Sequence, residues 1–159
     1  MSLQRFHDAQ AESPDGYEDA LAQMRRGRKN SHWIWYIFPQ IEGLGHSSMA
    51  QDFALRDLEE ACAYLRDPLL RARYEEIAGV VGGHLECGAK VGHLMGSSID
   101  ALKLASSITL FRAAAARLAE TDPGYSALAA GCGAILERLA EQGYPACEHT
   151  LARLGGGAK

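Results

Sequence analysis

Strand signals are nearly absent from this chain of 159 residues. No stretch of four or more residues alternates cleanly between apolar and polar, and no Asn-Gly or Asp-Gly turn lies between β-rich runs, which argues against hairpins and sandwiches. No apolar run reaches the roughly 18 residues that a membrane-spanning helix needs. The first residues lack the hydrophobic segment of a secretory signal. Together these absences make the cytoplasm the expected location, with no membrane partner. Positive charge is not in excess either: 16 Lys and Arg stand against 20 Asp and Glu. A net charge of −4 argues against nucleic acid as a partner, because binding a phosphate backbone needs a basic surface.

The four cysteines, Cys62, Cys87, Cys132 and Cys147, form no Cys-x-x-Cys pair, so a reducing compartment fits better than a disulfide framework. The spacing of His84, Cys87, His93, Cys147 and His149 matches no zinc pattern, and no metal is expected. A Walker loop, a dinucleotide glycine fingerprint and a Gly-x-Ser-x-Gly elbow are all missing, so no cofactor is indicated and a serine nucleophile has little support.

Helical periodicity takes the place of these features. Tyr17, Leu21 and Met24 repeat at i, i+4 and i+7, with Asp15 and Glu18 spaced as a cap and its partner and Gly27 as the stop. Leu58, Ala61, Cys62 and Leu65 make a second stripe. Asp67-Pro68 reads as an N-cap followed by the first helical position, ahead of Leu70, Tyr74, Ile77, Ala78 and Val81. Asp122-Pro123 repeats that start before Leu128, Cys132, Ile135 and Leu139. A short last helix is expected from Pro145, carrying Leu151 and Leu154. The glycines at 82, 83, 88, 92 and 96 predict a loop over 82–98 with room for one helical turn. The expected architecture is all-α: one compact multi-helix domain over 1–154, followed by a flexible tail at 155–159.

The helix predicted over about 97–119 is apolar on two sides, which places it centrally. Leu104, Ile108, Phe111, Ala115 and Leu118 share one face, and Ile99, Leu102, Ser106 and Leu110 share another. Between them runs a polar wedge of Asp100, Lys103 and Ser107. Charges that close to apolar faces are costly unless paired or open to a cleft. Two readings follow for Asp100: an ion pair with Lys103, or a general base lining a cleft with Ser106 or Ser107 nearby.

The densest chemistry lies between Gly27 and Gly45. Both tryptophans of the chain, together with His32, Arg28 and Lys29, fall within these residues. The run 33–38 has the composition of a buried strand, but its helical neighbours and Pro39 favour a short buried helix. Ser48 with Gln51 fits a capping box, so the Gly43–Ser48 stretch opens a helix whose free N–H groups can meet an anion. Arg28 and Lys29 would supply charge to it, Trp33 or Tyr36 a stacking platform, and His32 a proton donor. Gln40, Gly45, Ser47, Lys103 and Ser107 complete the candidate ligand-binding set. The competing reading is a glycine turn with Trp33, Ile37 and Phe38 filling the core.

Three blocks carry a resemblance to a known family: Gly27 to Gln40, Gly43 to Ser47, and Asp100 to Phe111. They closely resemble the family called domain of unknown function 1810, and the match is collinear from about Phe6 to Leu154. The resemblance implies a small, mainly helical, bacterial single-domain protein without an assigned activity; the calpastatin label some members carry has no support in these residues. It also implies an acidic pair where this chain has Asp100-Ala101, and an Asp where it has Cys147.

The functional expectation is binding, with or without processing, of a phosphorylated or nucleotide-like small molecule. The site would be a cleft between the 27–48 segment and helix 97–119, with His32 and Asp100 as proton-handling groups. The alternative is a structural or protein-interaction domain that uses 32–38 as interface or core. Either is compatible with a monomer or a homodimer.

Overall fold

A computed structural model describes residues 3–12 and 14–156, and its described residues form ten α-helices and one 3-10 turn with no strand. The helices are α1 (Gln4–Ala11), α2 (Tyr17–Arg26), α3 (Ile34–Ile37), α4 (Ser48–Asp52), α5 (Leu58–Arg66), α6 (Pro68–Glu86), α7 (Val91–Leu94), α8 (Ser98–Ala119), α9 (Ser126–Glu141) and α10 (Glu148–Gly156). The fold is all-α, as the periodicity predicts. The expected tail begins inside α10, and residues 157–159 lie outside the described residues.

Helix α8 is the axis of the molecule and packs against α3, α5, α7, α9 and α10. From Leu104 to Phe111 every one of its residues is buried, so the helix is enclosed on all sides there. Its first turns differ: Ile99 and Leu102 are 64% and 57% exposed, although their spacing puts them on an apolar stripe. Around the axis, Phe6, Phe38, Tyr64, Tyr74 and Phe111 form a chain of ring contacts that ties α1, α5, α6 and α8 into one core. Such ring pairs contribute beyond their buried area.

Caps explain where several helices start. Asp67 Oδ1 accepts from the N–H groups of Leu69 and Leu70, with Pro68 at the first helical position. Asp122 caps the 3-10 turn Pro123–Tyr125 that leads into α9. Three starts depart from expectation. Gly16, not Asp15, precedes α2; Asp15 has φ +69° and donates its N–H to Asp19 Oδ2 at 2.8 Å. Ser47, not Ser48, caps α4, its hydroxyl accepting from Ala50 N–H at 3.1 Å. The last helix begins at Glu148, three residues beyond Pro145.

The predicted loop over 82–98 is largely helical. α6 continues through Gly82 and Gly83 to Glu86, and α7 occupies Val91–Leu94. Each interior glycine costs a helix about 1 kcal/mol, but burial of Val81 and Leu85 offsets this. Gly82 also has a packing reason, since a Cβ there would lie 3.3 Å from Ile135 Cγ1 on α9. Only Cys87–Lys90 and Met95–Ser97 remain as turns.

Candidate functional site

Pro39 ends the segment that carries α3, and the chain then makes a closed loop. Leu55 N–H donates to the Gln40 carbonyl at 2.9 Å, and Glu42 N–H donates to the Leu55 carbonyl at 2.8 Å. These bonds pin the base of a loop over 40–55 that contains α4. Gly43 turns it with φ +100°, and a Cβ there would lie 2.9 Å from His149 Nε2. α10 holds the same corner: His149 Nε2 and Arg153 Nη1 both reach the Glu42 carbonyl, at 3.1 and 2.9 Å.

A cavity of about 190 Å3 occupies the inside of this loop, with Gln40, Gly45, His46 and Ser47 among its lining residues. Trp35 of α3 and Lys103 of α8 complete the wall. The N–H groups of Leu44, Gly45, His46 and Ser47 donate to no acceptor among the described residues. Trp35 Nε1 is buried and also lacks an acceptor among them. Lys103 Nζ lies 5.3 Å from the Trp35 ring centroid. A groove of about 440 Å3 adjoins this cavity, sharing Gln40, Leu44 and Lys103 and reaching Cys147.

Beside the cavity stands a charged cluster. Lys29 Nζ is 2.7 Å from Asp100 Oδ2, and Lys103 Nζ is 3.8 Å from Asp100 Oδ1. The Lys29 side chain is only 6% exposed and also donates to the Ser31 carbonyl. Two ammonium groups against one carboxylate leave one positive charge in excess, and Lys103 is the more accessible of the two lysines.

The predicted site residues therefore separate. Gln40, Gly45, Ser47 and Lys103 come together around the loop cavity. Ser48 is exposed at the start of α4 and lines neither space. Arg28 and His32 are exposed and also line neither. Lys29 is buried and pairs with Asp100, whose carboxylate is 17% exposed and also faces Lys103. Ser107 is fully buried and its hydroxyl meets the Tyr74 hydroxyl at 2.9 Å, so it is a core contact.

Trp33 is a core residue too. Its ring is completely buried, and Nε1 donates to Gln23 Oε1 at 2.8 Å. Tyr36 is buried, with its hydroxyl donating to the Asp15 carbonyl at 2.6 Å. Burial first, then the charges of Asp15 and Glu12, push the Tyr36 phenol up to about 12. It stays protonated at neutral pH and offers no stacking face. The aromatic wall falls to Trp35, which sequence reasoning did not single out: in a helix of four residues, periodicity cannot tell which ring faces outward.

Sequence reasoning also assigned no site role to Cys147, the residue before α10. Burial alone would raise its thiol, but the polar groups beside it, the Ser106 and Thr150 side chains and the His149 and Thr150 N–H groups, outweigh this and lower it; the Ser106 hydroxyl itself donates to the Leu102 carbonyl at 3.0 Å. Thr150 Oγ1 is buried and has no hydrogen-bond partner among the described residues. Cys62 and Cys132 are buried, and burial pushes the Cys132 thiol up to about 12.

The family model described as protein of unknown function DUF1810 matches residues 1–127, which include α1 to α8, the loop cavity and the lysine–aspartate cluster. The chain belongs to the DUF1810 family. The chain is similar to the conserved hypothetical protein Rv1873 from Mycobacterium tuberculosis. That crystal structure is 36% identical over 96% of both chains, with a TM-score of 0.78. No curated protein matches the chain. The DUF1810 match stops before most of α9 and all of α10, so Cys147 and the α10 contacts to Glu42 lie beyond it. Among the described residues, no helix is long and apolar enough to cross a membrane.

Proposed function

We propose that the loop cavity is a binding site for a phosphorylated or nucleotide-like small molecule, entered past Lys103. The observation that carries this reading is the excess positive charge of the Lys29–Asp100–Lys103 cluster at a cavity whose loop amides have no acceptor among the described residues. An anion placed there would meet backbone N–H groups and an ammonium group together, the arrangement that phosphate sites use. Trp35 would supply a flat apolar wall, and its buried N–H a donor for the ligand. Gln40 lies at the junction of cavity and groove, where it would contact the part of the ligand that leaves the loop. His46 lines the cavity but is exposed and its ring has no hydrogen-bond partner among the described residues, so binding is the activity favoured.

A panel of inorganic phosphate, ADP-ribose, NAD and nucleotides, read by melting temperature, tests this. A ligand at ten times its Kd stabilises by roughly 1.4 kcal/mol, or roughly 3–6 °C for a chain of this size. A shift with at least one member, lost in Lys103→Gln, is expected. No shift at millimolar ligand across the panel would contradict the proposal.

The interaction-domain reading has less surface to work with. Trp33, Ile34, Tyr36, Ile37 and Phe38 are all buried, so the aromatic segment serves as core.

A further inference from the structure

The loop cavity is small for a whole ligand. Sites for drug-sized molecules measure roughly 300–1,000 Å3, and about 190 Å3 falls below that range. The adjoining groove, at about 440 Å3, lies within it, and its walls are of the opposite character. Ile99, Leu102 and Ala105 of α8 form one side, and Pro145 and Ala146 form the other. Ile99 and Leu102 are more exposed than Leu69 and Leu151, the other exposed large apolar side chains. Both belong to the first turns of α8, ahead of the enclosed stretch from Leu104 to Phe111. Water therefore contacts two aliphatic side chains directly beside a cation.

Resting on the anion site proposed above, we infer that the preferred ligand class is an aliphatic phosphate monoester. Its head would sit in the loop cavity and its chain along the groove toward Cys147. Charge fixes the direction: the surplus positive charge lies at Lys103, where the two spaces meet, while the far wall holds Ala146, the Cys147 thiol and the Glu148 carboxylate, which would repel an anionic head. The head would meet Lys103 and the amides of Gly45 to Ser47, and the chain would cover Ile99 and Leu102. From residue 99 to residue 106, α8 rises about 10 Å, about the length of an eight-carbon chain. Covering those side chains removes apolar area from water, the term that makes long chains bind better than short ones.

Titration of the intact protein with ethyl, butyl, hexyl and octyl phosphate, below their micelle concentrations, reads this directly by calorimetry. Each methylene that becomes buried is worth up to about a fourfold gain in affinity. Affinity should climb through the series, with octanol binding far more weakly than octyl phosphate. Leu102→Asn, at an exposed position where the fold is not at risk, should flatten the climb and leave ethyl phosphate unchanged. If ethyl phosphate binds and the series is flat, or if octanol matches octyl phosphate, the head-and-chain assignment is overturned while the anion site stands. If no member binds, both fail.

Discussion

Lys29 and Asp100 meet at 2.7 Å, joining the segment before α3 to the first turn of α8. The lysine is nearly enclosed, its ammonium 5.0 Å from the Trp33 ring centroid. This contact sets the spacing between the aromatic segment and the central helix, and it leaves Lys103 as the cation that faces outward.

Removing the carboxylate strands the buried Lys29 ammonium, whereas removing Lys29 leaves Asp100 partly exposed and beside Lys103. Asp100→Asn should cost about 3–5 kcal/mol in denaturant unfolding, and Lys29→Met about 1–3 kcal/mol, through the carboxylate and the Ser31 carbonyl that lose its donor. Lys103→Gln should cost about 0–1 kcal/mol, since Lys103 is partly solvated and 3.8 Å from the carboxylate. Equal costs at Lys29 and Lys103 would contradict the division between a structural and an outward-facing lysine.

Gln23 is the anchor beneath the aromatic segment. Its amide oxygen accepts from Trp33 Nε1 and from Asn30 N–H, and its nitrogen donates to Ser31 Oγ. Removing it leaves buried donors without acceptors, at about 1–3 kcal/mol each. Gln23→Ala should therefore destabilise by at least about 2 kcal/mol in urea unfolding, and a neutral result would show that the Trp33 N–H finds another acceptor.

Gly43 should tolerate no side chain. Its φ of +100° and the His149 ring 2.9 Å from a would-be Cβ both penalise alanine. Gly43→Ala is expected to lower stability by about 1–3 kcal/mol. It should also increase amide exchange of α10, because the Glu42 carbonyl that His149 and Arg153 hold would move.

Cys147 should react as a low-pKa thiol. Its lowered value means that the thiolate is the form the fold favours. That contribution is present above the ordinary thiol pKa of about 8.5 and is lost as pH falls through the lower folded value. Alkylation in a Cys87→Ser background should have a midpoint below that of an ordinary thiol, and Ser106→Ala should raise it. A midpoint at or above the ordinary value would contradict the assignment.

The sequence was most legible where chemistry is local. Asp67-Pro68 and Asp122-Pro123 announce their helix starts because a cap needs only residues two or three positions away. The central place of α8 was readable from its two apolar stripes. Gly82 and Gly83 misled because what holds them in a helix is Ile135 and the core, far along the chain. Asp15 looked like a cap, yet Asp19 takes its N–H and leaves Gly16 to precede α2. At the site, Gln40, Gly45, Ser47 and Lys103 were found by residue type, while Lys29 and Asp100 were named but not paired, since no local rule links positions so far apart. Trp35 was missed because both indoles sit in one short helical stretch.

The central claim is that an anion enters the cavity between Lys103 and Trp35. Two tryptophans make the indole N–H region of a 1H–15N NMR spectrum a two-signal readout, with Trp33 sealed in the core and Trp35 on the cavity wall. On titration with inorganic phosphate and then ADP-ribose, the Trp35 signal should move saturably, the Trp33 signal should stay in place, and Lys103→Gln should abolish the movement. A Trp35 signal that stays fixed to millimolar ligand, or one that moves equally in Lys103→Gln, would contradict the account.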